Sequence, residues 1–221
     1  MTHASVTIIL QEHRALSAML RAILLLLGEY RRRGTLPDFG ALRAMLFYVD
    51  EFPEKLHHPK EGRLLFPKLR GYSAHSDGML DRLYRDHERG EHAIRGLQHA
   101  LLGFELMGET DQHEPRRATF ETAMTLYVRF YLEHMRIEEA HVLPLAEAMF
   151  VAGDWAELDD AFLANCDPLT GFDAVAAYQP LFKTILNALP DSCSLGAALE
   201  ALAGVGSPKY TWPRKGEVPS S

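Results

Sequence analysis

HHPKEGRLLFP (residues 57–67) and HMRIEEAHVLP (residues 134–144) carry one pattern twice. Each opens on a histidine, places a glutamate four residues on, and reaches Leu65-Phe66-Pro67 or Val142-Leu143-Pro144 after the same interval. Side chains four residues apart on an α-helix stand one turn above the other on a single face. Each stretch therefore aims an imidazole and a carboxylate at one point. One such pair, in a chain with 11 histidines, would be an ordinary surface ion pair. Two pairs in matching context call for helices that face each other.

The match extends outward. Upstream of each stretch stands one acidic-histidine dipeptide, Glu12-His13 and Asp86-His87. The lone histidines are 74 positions apart, and His57 and His134 are 77 apart. The chain reads as two helical hairpins of one design, and its periodicity agrees. Ile9, Leu16, Leu20, Ile23, Leu24 and Leu27 recur at helical spacing over residues 5–33, which end at Gly34. A second helix is predicted after Pro37 to about residue 69 (Leu42, Leu46, Val49, Leu56), and a third over about 75–107 (Leu80, Leu83, Ile94, Leu97). A fourth starts near Pro115, a residue suited to a first turn, and runs to about residue 150. No stretch alternates as a strand would. The expected fold class is all-α, an up-down-up-down four-helix bundle over residues 1–150. Extra C-terminal helices are expected over 151–206, at 154–164 and 174–189 around a turn at 167–171. From Ser207 the three prolines Pro208, Pro213 and Pro219 mark a loosely ordered tail over 207–221.

A chain of 221 residues, 47% hydrophobic and 24% charged, can bury a full core. Its net charge of −7 argues against a nucleic-acid partner, which needs clustered Lys and Arg. The only basic run, Arg31-Arg32-Arg33, suits a helix C-terminus. Cys166 and Cys193 form neither a CxxC spacing nor a disulfide framework, so a reducing, cytoplasmic compartment is expected. The longest apolar run, residues 23–27, is far too short to cross a bilayer, and neither a signal peptide nor a membrane partner is expected.

With both hairpins facing inward, the bundle centre would collect four imidazoles, His13, His57, His87 and His134, and two carboxylates, Glu61 and Glu138. Such donors suit iron, manganese or zinc, and the lack of thiolates argues against a structural zinc site or an iron-sulfur cluster. Two carboxylates across a four-helix core suggest a pair of metals. A rival fingerprint, Glu-x-x-His, fits Glu54-His57 and Glu138-His141, but Glu54 aligns with Tyr131 and His141 with Leu64, so it does not repeat. Pro59 lacks a backbone N–H and clashes with the preceding turn. Either the helix bends or opens near Lys55 and re-aims His57 relative to Glu61, or Pro53 and Pro59 bracket an irregular break.

Over about residues 7–150 these motifs resemble the hemerythrin-like, or HHE cation-binding, family. The resemblance implies a non-haem iron pair, open to an oxo or hydroxo bridge, with His13, His57, Glu61, His87, His134 and Glu138 as ligands and both glutamates bridging. It also implies a vacant position for dioxygen, nitric oxide or peroxide. The oxygen carriers of the family place a histidine four residues after the third-helix ligand, where this chain has Glu91 with His92 beside it. They also use an aspartate five residues after the fourth-helix histidine, where this chain has Glu138 at four. The two HxxxE motifs look more like the iron-centre repair proteins and iron-sensing domains. A further ligand is sought at Glu91, His58 or His141.

The remaining expectations concern surroundings. Tyr127 and Tyr131 share the face of His134 and read as core packing or as support for the ligands. His75, His92, His99 and His113 are expected to be exposed. Leu16, Leu20, Phe47, Tyr84 and Phe130 are expected to sheathe the centre, Trp155 and Phe162 to cap the bundle or form a homodimer contact, and Cys166 to be inert. The functional expectation is binding of a small diatomic gas or peroxide. The alternatives are a di-iron enzyme or repair factor acting on peroxide, nitric oxide or damaged clusters, as in a stress response, and a metal-stabilised sensor module.

Overall fold

The computed structural model describes residues 3–170 and 178–188, and within them every regular element is helical. Helix α1 (Ala4–Arg33) ends where Gly34 takes φ 64°, a left-handed conformation open to glycine, with Arg31, Arg32 and Arg33 in its last turn. Helix α2 covers residues 39–69 without a break. Its start is capped by Asp38, whose carboxylate accepts the Ala41 N–H at 2.9 Å. Helix α3 (Ala74–Leu106) opens on a capping box between Ser73 and Ser76. Helix α4 covers residues 113–149. Two further helices, α5 (Ala152–Ala164) and α6 (Gln179–Ala188), follow on either side of a 3₁₀ turn at Pro168–Thr170. The expected helix over 174–189 is thus seen over Gln179–Ala188, with Tyr178 just before it; residues 174–177 and 189, Cys193 and the tail lie outside the described residues.

The prolines of α2 and α4 explain how those helices stay continuous. The π-helical segments Asp50–His57, Glu61–Leu65 and Glu138–Val142 interrupt the α-helical ladder. Each closes with an N–H bonded five residues back: His58 to the Pro53 carbonyl, Phe66 to Glu61, and Leu143 to Glu138. The next residue in every case is a proline, Pro59, Pro67 or Pro144. A proline in an α-helix collides with the carbonyl four residues back. A widened turn moves that carbonyl aside, and the proline then sits where a fresh α-ladder begins. The helix therefore opens on the Lys55 side of Pro59, and Pro53 and Pro59 bracket no break.

The core is two apolar clusters with a polar layer between them. One gathers Leu16, Leu20, Ile23, Leu46, Ile94, Leu101, Phe104 and Phe120; the other Ile9, Leu65, Phe66, Leu80, Leu83, Val142 and Leu143. The extension packs onto this frame. Trp155, Leu158 and Phe162 join the second cluster, Phe182 and Ile185 the first, and Ser5 ties α1 to α5 by donating its N–H and hydroxyl to Asp159 at 2.7 and 2.5 Å. Trp155 and Phe162 are buried within the chain, which makes them a cap. Phe47 departs from expectation: it is 42% exposed, because Leu42, Met45, Leu46 and Val49 form the inward stripe of α2 and Phe47 falls outside it.

Candidate metal centre

The polar layer is built from the repeated stretches. The i, i+4 spacing brings His57 Nε2 to 3.2 Å from Glu61 Oε1 and His134 Nε2 to 3.1 Å from Glu138 Oε1. His13 on α1 and His87 on α3 complete it. His13 Nε2 lies 3.2 Å from His57 Nε2 and 3.4 Å from Glu138 Oε2. His87 Nε2 lies 3.1 Å from His134 Nε2 and 3.6 Å from both Glu61 Oε2 and Glu138 Oε1. The six residues expected from the repeat thus converge, as two groups. One holds His13 and His57, the other His87 and His134, and each glutamate turns one oxygen to either group.

A seventh side chain joins the second group. His58, buried and stacked on His87 with ring centroids 4.2 Å apart, brings a ring nitrogen within 4.8 Å of those of His87 and His134. Glu91 and His141 are exposed and take no part. The centre is therefore unequal, with two histidines on one side and three on the other. A cavity of about 10 Å³, the room one water needs, is lined by both histidines of the first group, His13 and His57, and by His58 of the second, and is closed by Glu12, Leu16, Phe52, Leu56, Met135 and Asp167.

All four oxygens of Glu61 and Glu138 are buried without a hydrogen-bond donor. Buried carboxylates are costly unless protons or a cation compensate them. Without metal the counter-charge beside them is that of the His57 and His134 rings, 3.2 and 3.1 Å away, which share the carboxylates' focus. A donor set of five imidazoles and two carboxylates facing inward fits divalent transition metals. Carboxylates also stand behind the rings. Glu12 Oε2 meets His57 Nδ1 at 2.6 Å, Glu139 Oε1 meets His13 Nδ1 at 3.0 Å, and Glu54 Oε2 meets His58 Nδ1 at 3.1 Å. Such partners fix ring orientation and leave Nε2 to the metal. Asp86 lies 3.8 Å from His134 Nδ1, close enough to act through charge but too far to bond.

The hemerythrin HHE cation-binding domain profile matches residues 4–146, more than half of the chain. The chain belongs to the hemerythrin HHE cation-binding domain family. No curated protein matches it.

In this hemerythrin domain the acid of each acid-histidine dipeptide serves the neighbouring hairpin partner: Glu12 backs His57, and Asp86 faces His134. Burial opposes charge on His57, yet Glu61 and Glu12 hold its pKa up to about 10; Glu138 and Asp86 do the same for His134, also to about 10. His58 goes the other way, pushed well below the usual imidazole range by burial and by His87 and His134. Burial raises Glu54 to about 7 even though the Tyr131 and Tyr127 hydroxyls donate to its Oε1. Those tyrosines are thus supports of the His58 shell as well as core. Around the centre Leu16 and Leu20 are buried, while Tyr84 and Phe130 are half-buried. His75, His92 and His99 are exposed as expected; His113 is half-buried against Phe104, ring centroids 5.4 Å apart. Burial pushes the Cys166 thiol up to about 11, which disfavours a reactive thiolate. No helix among the described residues is long and apolar enough to cross a membrane.

Proposed function

We propose that the domain holds two iron ions and binds dioxygen, nitric oxide or peroxide beside the two-histidine group. One observation carries the reading: Glu61 and Glu138 each present one oxygen to each histidine group, the disposition of two bridging carboxylates. His13 and His57 would serve one ion and His58, His87 and His134 the other. Manganese or zinc suits the same donors, and supply decides between them. Iron in this setting supplies redox chemistry toward small oxygen- and nitrogen-containing molecules. The protein supplies the rest. His13 and His57 face the small cavity, which His58 also borders and whose walls combine Leu16, Phe52, Leu56 and Met135 with Glu12 and Asp167; its size suits a molecule of a few atoms.

The test is metal analysis of the purified chain with an optical spectrum taken anaerobically and again after air. About two iron ions per chain and a new charge-transfer band on exposure are expected. His57→Ala with His134→Ala should abolish both. Less than stoichiometric metal, with no effect of those substitutions, overturns the reading. A second reading, turnover of peroxide or nitric oxide, is favoured by the buried Tyr127 and Tyr131 beside Glu54, since a phenol can give up an electron and a proton together. Turnover lost in Glu61→Ala separates it from simple binding.

A further inference from the structure

The residues that close the two-histidine side come from beyond the matched region. Asp167 donates its backbone N–H to Glu12 Oε1 at 2.8 Å, while the other oxygen of that carboxylate meets His57 Nδ1 at 2.6 Å. The Asp167 carboxylate accepts the Tyr48 hydroxyl and, at 2.8 Å, the Leu169 N–H. Lys60, from inside the first repeated stretch, donates to the Asn165 carbonyl at 2.6 Å, and its ammonium lies 4.2 Å over the ring of Phe162. Phe162 presents its ring to His57 edge-on, centroids 5.8 Å apart. Asp167 is also part of the cavity wall against His13 and His57.

These contacts form a chain of constraint. The terminal torsion of a glutamate is broad, so Glu12 held only by His57 could swing and let the ring turn. A fixed donor on its second oxygen removes that freedom. In the other group the ring held this way is His58, whose partner Glu54 accepts the Tyr127 and Tyr131 hydroxyls on its second oxygen. His134 has no such strut among the described residues, since Asp86, the counterpart of Glu12, meets only the side chains of Arg82 and Arg89 beside it, at 3.6 and 3.9 Å.

We infer that residues 162–169 are a positioning element of the two-histidine group, fixing His57 through Glu12 and closing the cavity beside it. The segment then governs how fast a metal ion or a small ligand enters and leaves that group. This rests on reading the two groups as a metal pair.

The experiment uses the full-length chain loaded with cobalt(II) and challenged with excess chelator, beside diethyl pyrocarbonate labelling of the metal-free chain read by mass spectrometry. Tyr48→Phe removes the anchor of Asp167, and Asp167→Ala removes its carboxylate. In both, one ion should leave about tenfold faster, the loss typical of a disturbed outer partner, while the other leaves at the wild-type rate. In the metal-free chain His57 should become more reactive and His134 should not. Asp167→Asn, which keeps an acceptor, should behave as wild type. Leu101→Ala, a core truncation about four turns along α3 from His87, should affect both ions alike. Equal acceleration of both ions by Tyr48→Phe and Asp167→Ala, or unchanged His57 labelling, overturns the inference. Uptake of fewer than two cobalt ions by the wild type overturns the metal-pair reading instead, and the labelling then decides the positioning by itself.

Discussion

Gly90 shows how one residue can hold a ligand it never touches. A Cβ there would stand 1.8 Å from the Tyr131 hydroxyl and 2.9 Å from Glu54 Oε1, so only glycine leaves room for the tyrosine-glutamate contact that steadies His58. Alanine normally stabilises a helix interior over glycine by up to about 1 kcal/mol. Gly90→Ala should do the opposite, costing about 1–3 kcal/mol through overpacking, and should weaken metal uptake about tenfold. Gly96→Ala on the same helix, where nothing lies within 4 Å, is the control and should be neutral or slightly stabilising. Urea unfolding and metal titration of the two variants check this. At this scale the convergence of the six repeated histidines and glutamates is legible because they recur. His58 was one of three options for a further ligand, because its counterpart 77 positions on is Met135 and no repeat marks it. The local signal was a second acid-to-histidine spacing of four, Glu54 to His58. Comparing the halves set Glu54 aside because it aligns with Tyr131, yet those two side chains are bonded to each other across the bundle.

Among elements, the informative feature is the proline that follows each π-helical segment. The sequence shows the endings Leu65-Phe66-Pro67 and Val142-Leu143-Pro144, but periodicity assumes a uniform turn and so cannot show that the turn before each proline is wide. The consequence is chemical, because Glu61 and Glu138 stand at the first position of their π segments and their carbonyls accept the long-range bond. Pro144→Ala separates helix stability from metal aim. Alanine is the better helix former by about 3 kcal/mol, and with its N–H restored the ladder can close four residues back. The metal-free variant should melt at or above the wild-type temperature while binding metal at least about tenfold more weakly, since Glu138 is re-aimed. Thermal melts of the metal-free forms and metal titrations measure the two effects. Unchanged affinity would mean that the wide turn is a consequence of the proline alone.

For the whole molecule, a buried layer of acids and histidines divides one apolar core into two. The bundle and both extra helices could be anticipated from apolar spacing. The reach of the extension into the centre could not, because Asp167 contributes a backbone N–H, a group every residue but proline has. The division has a price in the metal-free state: two carboxylates are buried in a dry layer with only histidine rings beside them as counter-charge. Metal binding should therefore act as a large stabiliser of the fold. At a free metal concentration 100 times Kd the linkage is about 2.7 kcal/mol. For a chain of this size each kcal/mol moves Tm by about 2–4 °C, so loading should raise Tm by about 5–10 °C. Zinc, which has no redox chemistry, should do so as well as iron, because the effect comes from charge compensation. Glu61→Gln with Glu138→Gln removes the two buried charges and with them the metal's hold. That variant should melt at or above the metal-free wild type and show no shift on adding metal, a reversal of sign that a merely damaged fold would not give.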